Sequence, residues 1–348
     1  MRVGRKLTGY FMKYSKNKLP KILILYVSAL VFFFASALSA LVLGSADIGI
    51  RDIVNALAEG NMTSPEARIF IYVRFPRVCA SLLCGAAFSV SGAVIQNVLA
   101  NRLASPSIIG VNSGAGLAVT LCASIGVIGG WQTSLAAFVG AFVAVTLISA
   151  GARKWGSSGG TVILLGVAMN ALFGAVSDTV ITFDPAVGIM SNDFRIGDFS
   201  AVTYVKLIPA AVIISVSLAV LFFLSSELEI LTLGEENAKG LGLNTGAVSA
   251  VFLILSALLA GSAVSIAGML SFVGLLVPHA VRRVSFGLGR HLLPLCALFG
   301  AGFVTVCDTV ARTAFAPYEL PVGIIMAFLG APFFTFILIK GKGGHGNA

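Results

Sequence analysis

Few residues in this chain are of types and spacings that do chemistry, and they limit what that chemistry is. No Gly-x-x-x-x-Gly-Lys-Ser/Thr run occurs, so the loop that cradles nucleotide phosphates is missing. His279, His291 and His345 stand apart, with no His-Glu-x-x-His or similar metal-ligand spacing. No Gly-x-Ser-x-Gly nucleophile elbow is present. Cys79, Cys84, Cys122, Cys296 and Cys307 sit in apolar stretches without a Cys-x-x-Cys pair and read as small buried hydrophobes. The pattern implies no catalytic residue, no cofactor and no metal site.

Two acids, Asp178 and Asp308, fall inside long apolar segments. Acids at mid-bilayer mark proton or ion pathways because they are costly there. Both lie toward the expected outer ends of their segments, and Asp308 can pair with Arg312 one helical turn on. A proton relay is therefore weakly supported, which counts against an ion-coupled secondary transporter. A membrane-embedded enzyme fares worse, for want of any paired His/Asp/Glu site. Arg74-Phe-Pro-Arg77 is the sharper feature. Two guanidinium groups three residues apart share one helical face, and Pro76 suits a first helical turn. On an outer surface they fork onto a partner's carboxylate or anchor at lipid phosphate, and spacing does not choose between these.

The elements that position these residues follow from composition. Of 348 residues 57% are hydrophobic and 11% charged, against about 45–50% and 25% in soluble domains. A soluble fold and a disordered chain are both excluded. Apolar segments bounded by charges and Gly/Pro lie near 22–43, 76–98, 107–128, 132–151, 160–182, 203–224, 246–267, 270–286, 291–311 and 320–340. Each approaches the roughly 20 residues that cross a bilayer as a helix. The expectation is an all-α polytopic membrane protein of about ten transmembrane helices.

The first apolar run is too long for a signal-peptide core and reads as an uncleaved span. Before it, residues 1–21 carry Arg2, Arg5, Lys6, Lys13, Lys16, Lys18 and Lys21 and no acid. Ten spans put both termini on one side, and basic residues choose the cytoplasm. The inside then holds that tail with Arg102, Arg153, Lys154, Lys239, Arg282, Arg283, Arg290, Lys340 and Lys342. The outside holds the minority, Arg51, Arg68, Arg74, Arg77, Arg195, Lys206 and Arg312, with most acids, Asp47, Asp52 and Glu59 among them. The net charge of +9 is thus largely a tail that orients the first helix and meets anionic lipid, not a nucleic-acid surface. The organisation is a basic tail over 1–21, one membrane domain over 22–340 and a short cytoplasmic tail over 341–348.

Two further patterns matter. Gly85-Ala-Ala-Phe-Ser-Val-Ser-Gly92 is echoed by Gly261-Ser-Ala-Val-Ser-Ile-Ala-Gly268, in spans two and seven. Five spans apart means opposite orientation, the mark of an inverted repeat, although small residues recur in any packed membrane helix. Residues 225–245 form an amphipathic cytoplasmic stretch that a glycine can divide into two short helices.

Taken together, several segments resemble the FecCD-type permease subunits of binding-protein-dependent ABC importers for iron-siderophore, haem and vitamin B12. They are Arg74-Phe-Pro-Arg77, Gly85 to Gln96, Asn101-Arg-Leu-Ala-Ser-Pro106, Gly110-Val-Asn-Ser-Gly114, Leu233 to Gly242, Phe272 to His279, Leu320-Pro-Val-Gly323 and Gly330-Ala-Pro-Phe333. The resemblance implies an inverted repeat of helices 2–5 and 7–10. It implies a homodimer, or a heterodimer with a related permease, plus two ATP-binding cassette ATPases and an external substrate-binding protein. Arg74, Arg77 and Arg312 match the family's arginines that meet the binding protein. The loop 227–243 matches its coupling helices, giving Leu233, Gly234, Glu235, Glu236, Ala238, Gly240, Leu241 and Gly242 as the ATPase-coupling residues. Helices five and ten resemble those lining the pathway at the dimer interface. The implied cargo is a metal chelate, a ferric siderophore first, then haem, then cobalamin. Two departures stand out: Arg102, where the family usually has proline, and the charges of Asp193-Phe-Arg-Ile-Gly-Asp198, where it usually has an aromatic-apolar run.

Overall fold

The computed structural model describes residues 2–44, 64–155, 159–285 and 289–342. Asp47, Arg51, Asp52, Glu59 and His345, and the tail from 343, lie outside these residues. Every regular element among them is helical. In chain order they are α1 (Arg2–Val42), α2 (Pro65–Val98), α3 (Val111–Ser124), α4 (Gly130–Trp155), α5 (Gly159–Phe183), α6 (Pro185–Ile196) and α7 (Tyr204–Phe223). Then come α8 (Ser225–Leu231), α9 (Glu235–Gly240), α10 (Thr245–Ala267), α11 (Val273–Val284), α12 (Gly289–Thr313) and α13 (Val322–Lys342). The basic stretch at the N-terminus continues into the first span as one helix. A π-helical turn at Phe70–Arg74 interrupts α2 just before Arg77.

Seven of these helices are long and apolar enough to cross a membrane: α1, α2, α4, α5, α7, α10 and α12. α13 occupies the last expected span with 21 residues. Expected spans three and eight are shorter than the sequence suggests, with 14 residues in α3 and 12 in α11. At 1.5 Å per residue these reach about 21 and 18 Å, well short of a hydrocarbon core. In both cases irregular backbone precedes the helix and a residue with left-handed φ starts it, Gly110 at 92° and Phe272 at 67°.

Irregular backbone at membrane depth survives only when protein satisfies its polar groups. Asn170 of α5 donates to the carbonyls of Ser107 and Ile108 at 3.1 and 3.2 Å. Asn112 donates to the Leu270 carbonyl at 3.3 Å, tying the start of α3 to the turn before α11. Gln96 donates to the Gly274 carbonyl at 3.1 Å.

The core is built on α2, the most thoroughly buried span, which packs chiefly on α12 and α10. Its run of Gly, Ala and Ser lets backbones touch. A Cβ on Gly85 would overlap the Gly300 carbonyl of α12, and one on Gly92 would overlap Gly274 of α11. The echo copy in α10 packs on α4 as well as on α2: Gly261 faces Phe138 and Ala141 of α4, and the Cys84 thiol of α2 lies 3.6 Å from the Ala263 carbonyl. The second span thus pairs with the ninth as the seventh does with the fourth, and the second and seventh also pack on each other. The copies also run in opposite senses: Arg77, about two turns before the first copy in α2, lies 3.9 Å from Asp198, whose N–H bonds the last carbonyl of α10, Ala267. The two halves are related as an inverted repeat, and spans three and eight are its matching broken members.

Candidate functional site

At the end of the bundle where α1 finishes and α2 begins, the three sequence-selected arginines come together, facing inward. Arg74, Arg77 and Arg312 are each no more than 4% exposed. Arg77 forks onto Asp308 of α12, with Nε at 3.1 Å from both carboxylate oxygens and Nη2 at 2.9 Å from one. Its Nη1 donates to Glu319 at 2.7 Å. Asp308 is fully buried and shared: Arg312 approaches its other oxygen at 3.8 Å, as the i, i+4 spacing implies, but Arg77 is the main partner. Arg312 also donates to the Ala40 carbonyl, and Arg74 donates to the carbonyls of Val42 at 3.1 Å and Leu41 at 3.4 Å. These are unsatisfied C-terminal carbonyls of α1, so the guanidinium groups cap that helix and suit its negative dipole end.

Sequence spacing puts Arg74 and Arg77 on one helical face and leaves open what that face meets. In the folded chain it meets α1 and α12 rather than solvent. Two opposite charges and their hydrogen bonds are fully desolvated, a geometry in which each partner makes the other tolerable. Asp308 was legible as an intramembrane acid near a span end; its bond to Arg77, 231 residues away, was not.

At the opposite end of the bundle lie α8 and α9, the two short helices expected within 227–243. Gly234, with φ 95° and ψ 155°, breaks them as the sequence suggests. α9 closes in a Schellman cap: the Gly242 N–H bonds the Lys239 carbonyl and the Leu243 N–H bonds that of Ala238, with Gly242 at φ 83°. Ala238 is buried against the bundle. Leu233, Gly234, Glu235, Glu236, Gly240, Leu241 and Gly242 are exposed, with Leu233 at 55% and Leu241 at 65%. The Lys239 ammonium beside Glu235, at 2.8 Å, holds that exposed carboxyl below the usual glutamate range. Between these helices and the bundle lies a cavity of about 610 Å³ bordered by Asn97, Ser149, Leu231, Glu235 and Asn244.

Other positions were unremarkable in the sequence. Arg282, beside this end, donates to the Gln96 and Asn97 side chains and to the Ala93 carbonyl, fastening α11 to the end of α2. Near the Arg77 end, residues 185–196 form α6; Pro185 starts it and Asp184 caps it by accepting from the Ala186 N–H at 3.1 Å. Arg195 on α6 pairs with Asp178 on α5 at 3.6 Å, and both are largely exposed.

A family model described as the FecCD transport family matches residues 29–340. The Fe(3+)-citrate import system permease protein of Bacillus subtilis is 32% identical over 330 residues, covering 94% of this chain and 98% of its own. The vitamin B12 import system permease protein of Citrobacter koseri is also 32% identical, over 311 residues, covering 88% and 94%. A solved inward-facing structure of a metal-chelate-type ABC transporter superposes with a TM-score of 0.79 at 27% identity, over 91% of this chain and 99% of that one.

Proposed function

The chain belongs to the FecCD transport family and is the permease subunit of a metal-chelate-type ABC importer; we propose that its cargo is a ferric siderophore, with haem and then cobalamin as the next classes. It is a multi-pass membrane protein and not an enzyme; the ATPase of such an importer is a separate chain. The observation that carries the reading is the pair of short helices α8 and α9, broken at Gly234, capped at Gly242 and presenting Leu233 to Leu241 outward. An exposed apolar edge flanked by acids suits a groove on a partner.

In this reading the Glu235 end faces the cytoplasm, both termini lie there, and the protein sits in the cytoplasmic membrane with its basic tail against anionic lipid. Two ATPases grip residues 233–242 of two permease copies, identical or related. The copies meet across α5 and α13, whose outer faces expose Leu164, Val167 and Phe328. An external binding protein docks at the opposite rim. Arg74, Arg77 and Arg312 belong to that rim, and their internal bonds make them its framework, with the half-exposed Glu319 beside them. ATP binding shifts α8 and α9, the 610 Å³ cavity beneath them gives room, and a two-state packing of the dimer follows.

The test is reconstitution of the permease with its ATPase and binding protein in proteoliposomes. Replacing Glu235 and Glu236 together with alanine should cut ATP-driven uptake at least about tenfold while leaving thermal unfolding unchanged, because both are exposed. Normal coupled uptake would sink the coupling assignment. Uptake by the purified permease under an ion gradient alone would replace the reading with a secondary transporter. Arg74→Glu with Arg77→Glu should weaken binding-protein docking through loss of that framework, and should lower the unfolding temperature as well, because Arg77→Glu sets a carboxylate against Asp308 and Glu319. The cargo is identified by isolating the binding protein with its ligand.

A further inference from the structure

α5 is among the barest spans of the protein, yet it carries an acid. Asp178 has 69% of its side chain exposed and sits five residues before the helix ends at Phe183. Val180, Ile181 and Phe183 continue the apolar helix beyond it, so Asp178 lies about a turn and a half inside the span. A carboxylate at that depth does not face hydrocarbon; exposed intramembrane charges face an aqueous cavity or a polar partner. Its counterion, Arg195, comes from α6 at 3.6 Å and is itself 44% exposed. The neighbouring Ile196 and Gly197 carbonyls abut Gly323 at the start of α13. Arg195 therefore stands on the short helix that bridges the outer part of α5, through Asp178, and the start of α13, through Ile196 and Gly197.

We propose that Arg195 is a carboxylate-binding site at the outer mouth of the translocation pathway and selects an anionic, carboxylate-bearing metal chelate. This rests on the proposed pairing of two permease copies across α5 and α13, which places one Arg195 from each copy around the pathway. Asp178 is the resting partner that cargo displaces. One contact at 3.6 Å between two exposed groups is weak. The planar fork of an arginine matches a carboxylate in two parallel bonds, a stronger arrangement. Asp193 does not oppose this, because two residues apart on α6 puts it roughly 200° around the helix from Arg195. The buried Arg77 cannot serve in its place, since Asp308 and Glu319 occupy its donors.

The test is calorimetric titration of the purified full-length permease in nanodiscs with two probes, gallium(III) citrate and a neutral gallium(III) trihydroxamate. Wild type should bind the citrate complex more tightly. Arg195→Gln should weaken citrate binding roughly tenfold and leave the hydroxamate unchanged, and Arg195→Lys should restore part of the loss. Asp178→Asn, which removes the competing carboxylate, should tighten citrate binding. Equal affinity for the two probes, citrate binding indifferent to Arg195→Gln, or weaker citrate binding by Asp178→Asn would each overturn the proposal. The assay needs no ATPase, so it fails separately from the importer reading. Arg195-dependent binding without ATP-driven uptake would break only the latter, and ATP-driven uptake with Arg195-independent binding only the former.

Discussion

Two arginine–aspartate pairs, Arg77–Asp308 and Arg195–Asp178, sit toward the same end of this protein, and their surroundings make them opposites. In the first the arginine side chain is 5% exposed and the aspartate 0%, and the pair forks through three hydrogen bonds. In the second the figures are 44% and 69%, with a single approach at 3.6 Å. The first joins α2 to α12 and, through Arg312, to α1; it belongs to the architecture. The second joins α5 to the short α6 on an uncovered face and keeps its guanidinium accessible. The same residue types thus serve as a rivet where water is excluded and as a reader where it is not.

The largest effect should come from breaking the buried pair. Asp308→Asn leaves Arg77 and Arg312 desolvated around a neutral amide, and removing one partner of a buried pair costs about 3–5 kcal/mol. Thermal unfolding in detergent should show a deep loss of stability, and high salt should not reproduce it, because screening barely reaches a buried pair. A mild loss would mean that the cluster is wetter than its packing indicates. Arg195→Gln is the counterpart. An exposed pair contributes about 0–1 kcal/mol, so its melting curve should nearly overlay wild type. A stability loss matching that of Asp308→Asn would erase the distinction between rivet and reader.

The same contrast governs what the sequence discloses. Hydropathy and charge located the membrane spans, and residues 225–245 showed their glycine break, because these signals are local. The short α3 and α11 were hidden. Their apolar runs extend past the helices, and the asparagines that let backbone unwind there, Asn112 and Asn170, act through residues 158 and 62 positions away. The inward turn of Arg74, Arg77 and Arg312 was hidden for a similar reason. A guanidinium near a span end reads as exposed until the carbonyls of Ala40, Leu41 and Val42 are placed beside it. α6 was missed because its twelve residues, Pro185 to Ile196, mix polar and apolar types and resemble a loop, although Asp184-Pro185 is itself a helix-start signal.

The α8–α9 end supplies a third pair that extends the comparison to its weak limit. Glu235 and Lys239 are separated by one turn of α9, with side chains 64% and 60% exposed, and the Thr245 side chain at the start of α10 also hydrogen-bonds Glu235. Lys239→Ala should therefore leave global unfolding unmoved, and added salt should weaken the native pair as much as the substitution does. The pH response has a definite sign. The Glu235 carboxyl titrates below its ordinary range because Lys239 hydrogen-bonds its charged form. Whatever the pair contributes is present above the unfolded-state pKa and is lost as pH falls through the lowered native one. Across neutral pH the pair in α9 should be indifferent to acidity. NMR titration of a ¹³C-labelled Glu235 carboxyl should show a depressed midpoint that moves up toward the ordinary range in Lys239→Ala, with Thr245 holding the remainder. A midpoint that does not move on that substitution would mean that Thr245 rather than Lys239 holds the glutamate, and that the tie from α9 to α10 outweighs the pair within α9.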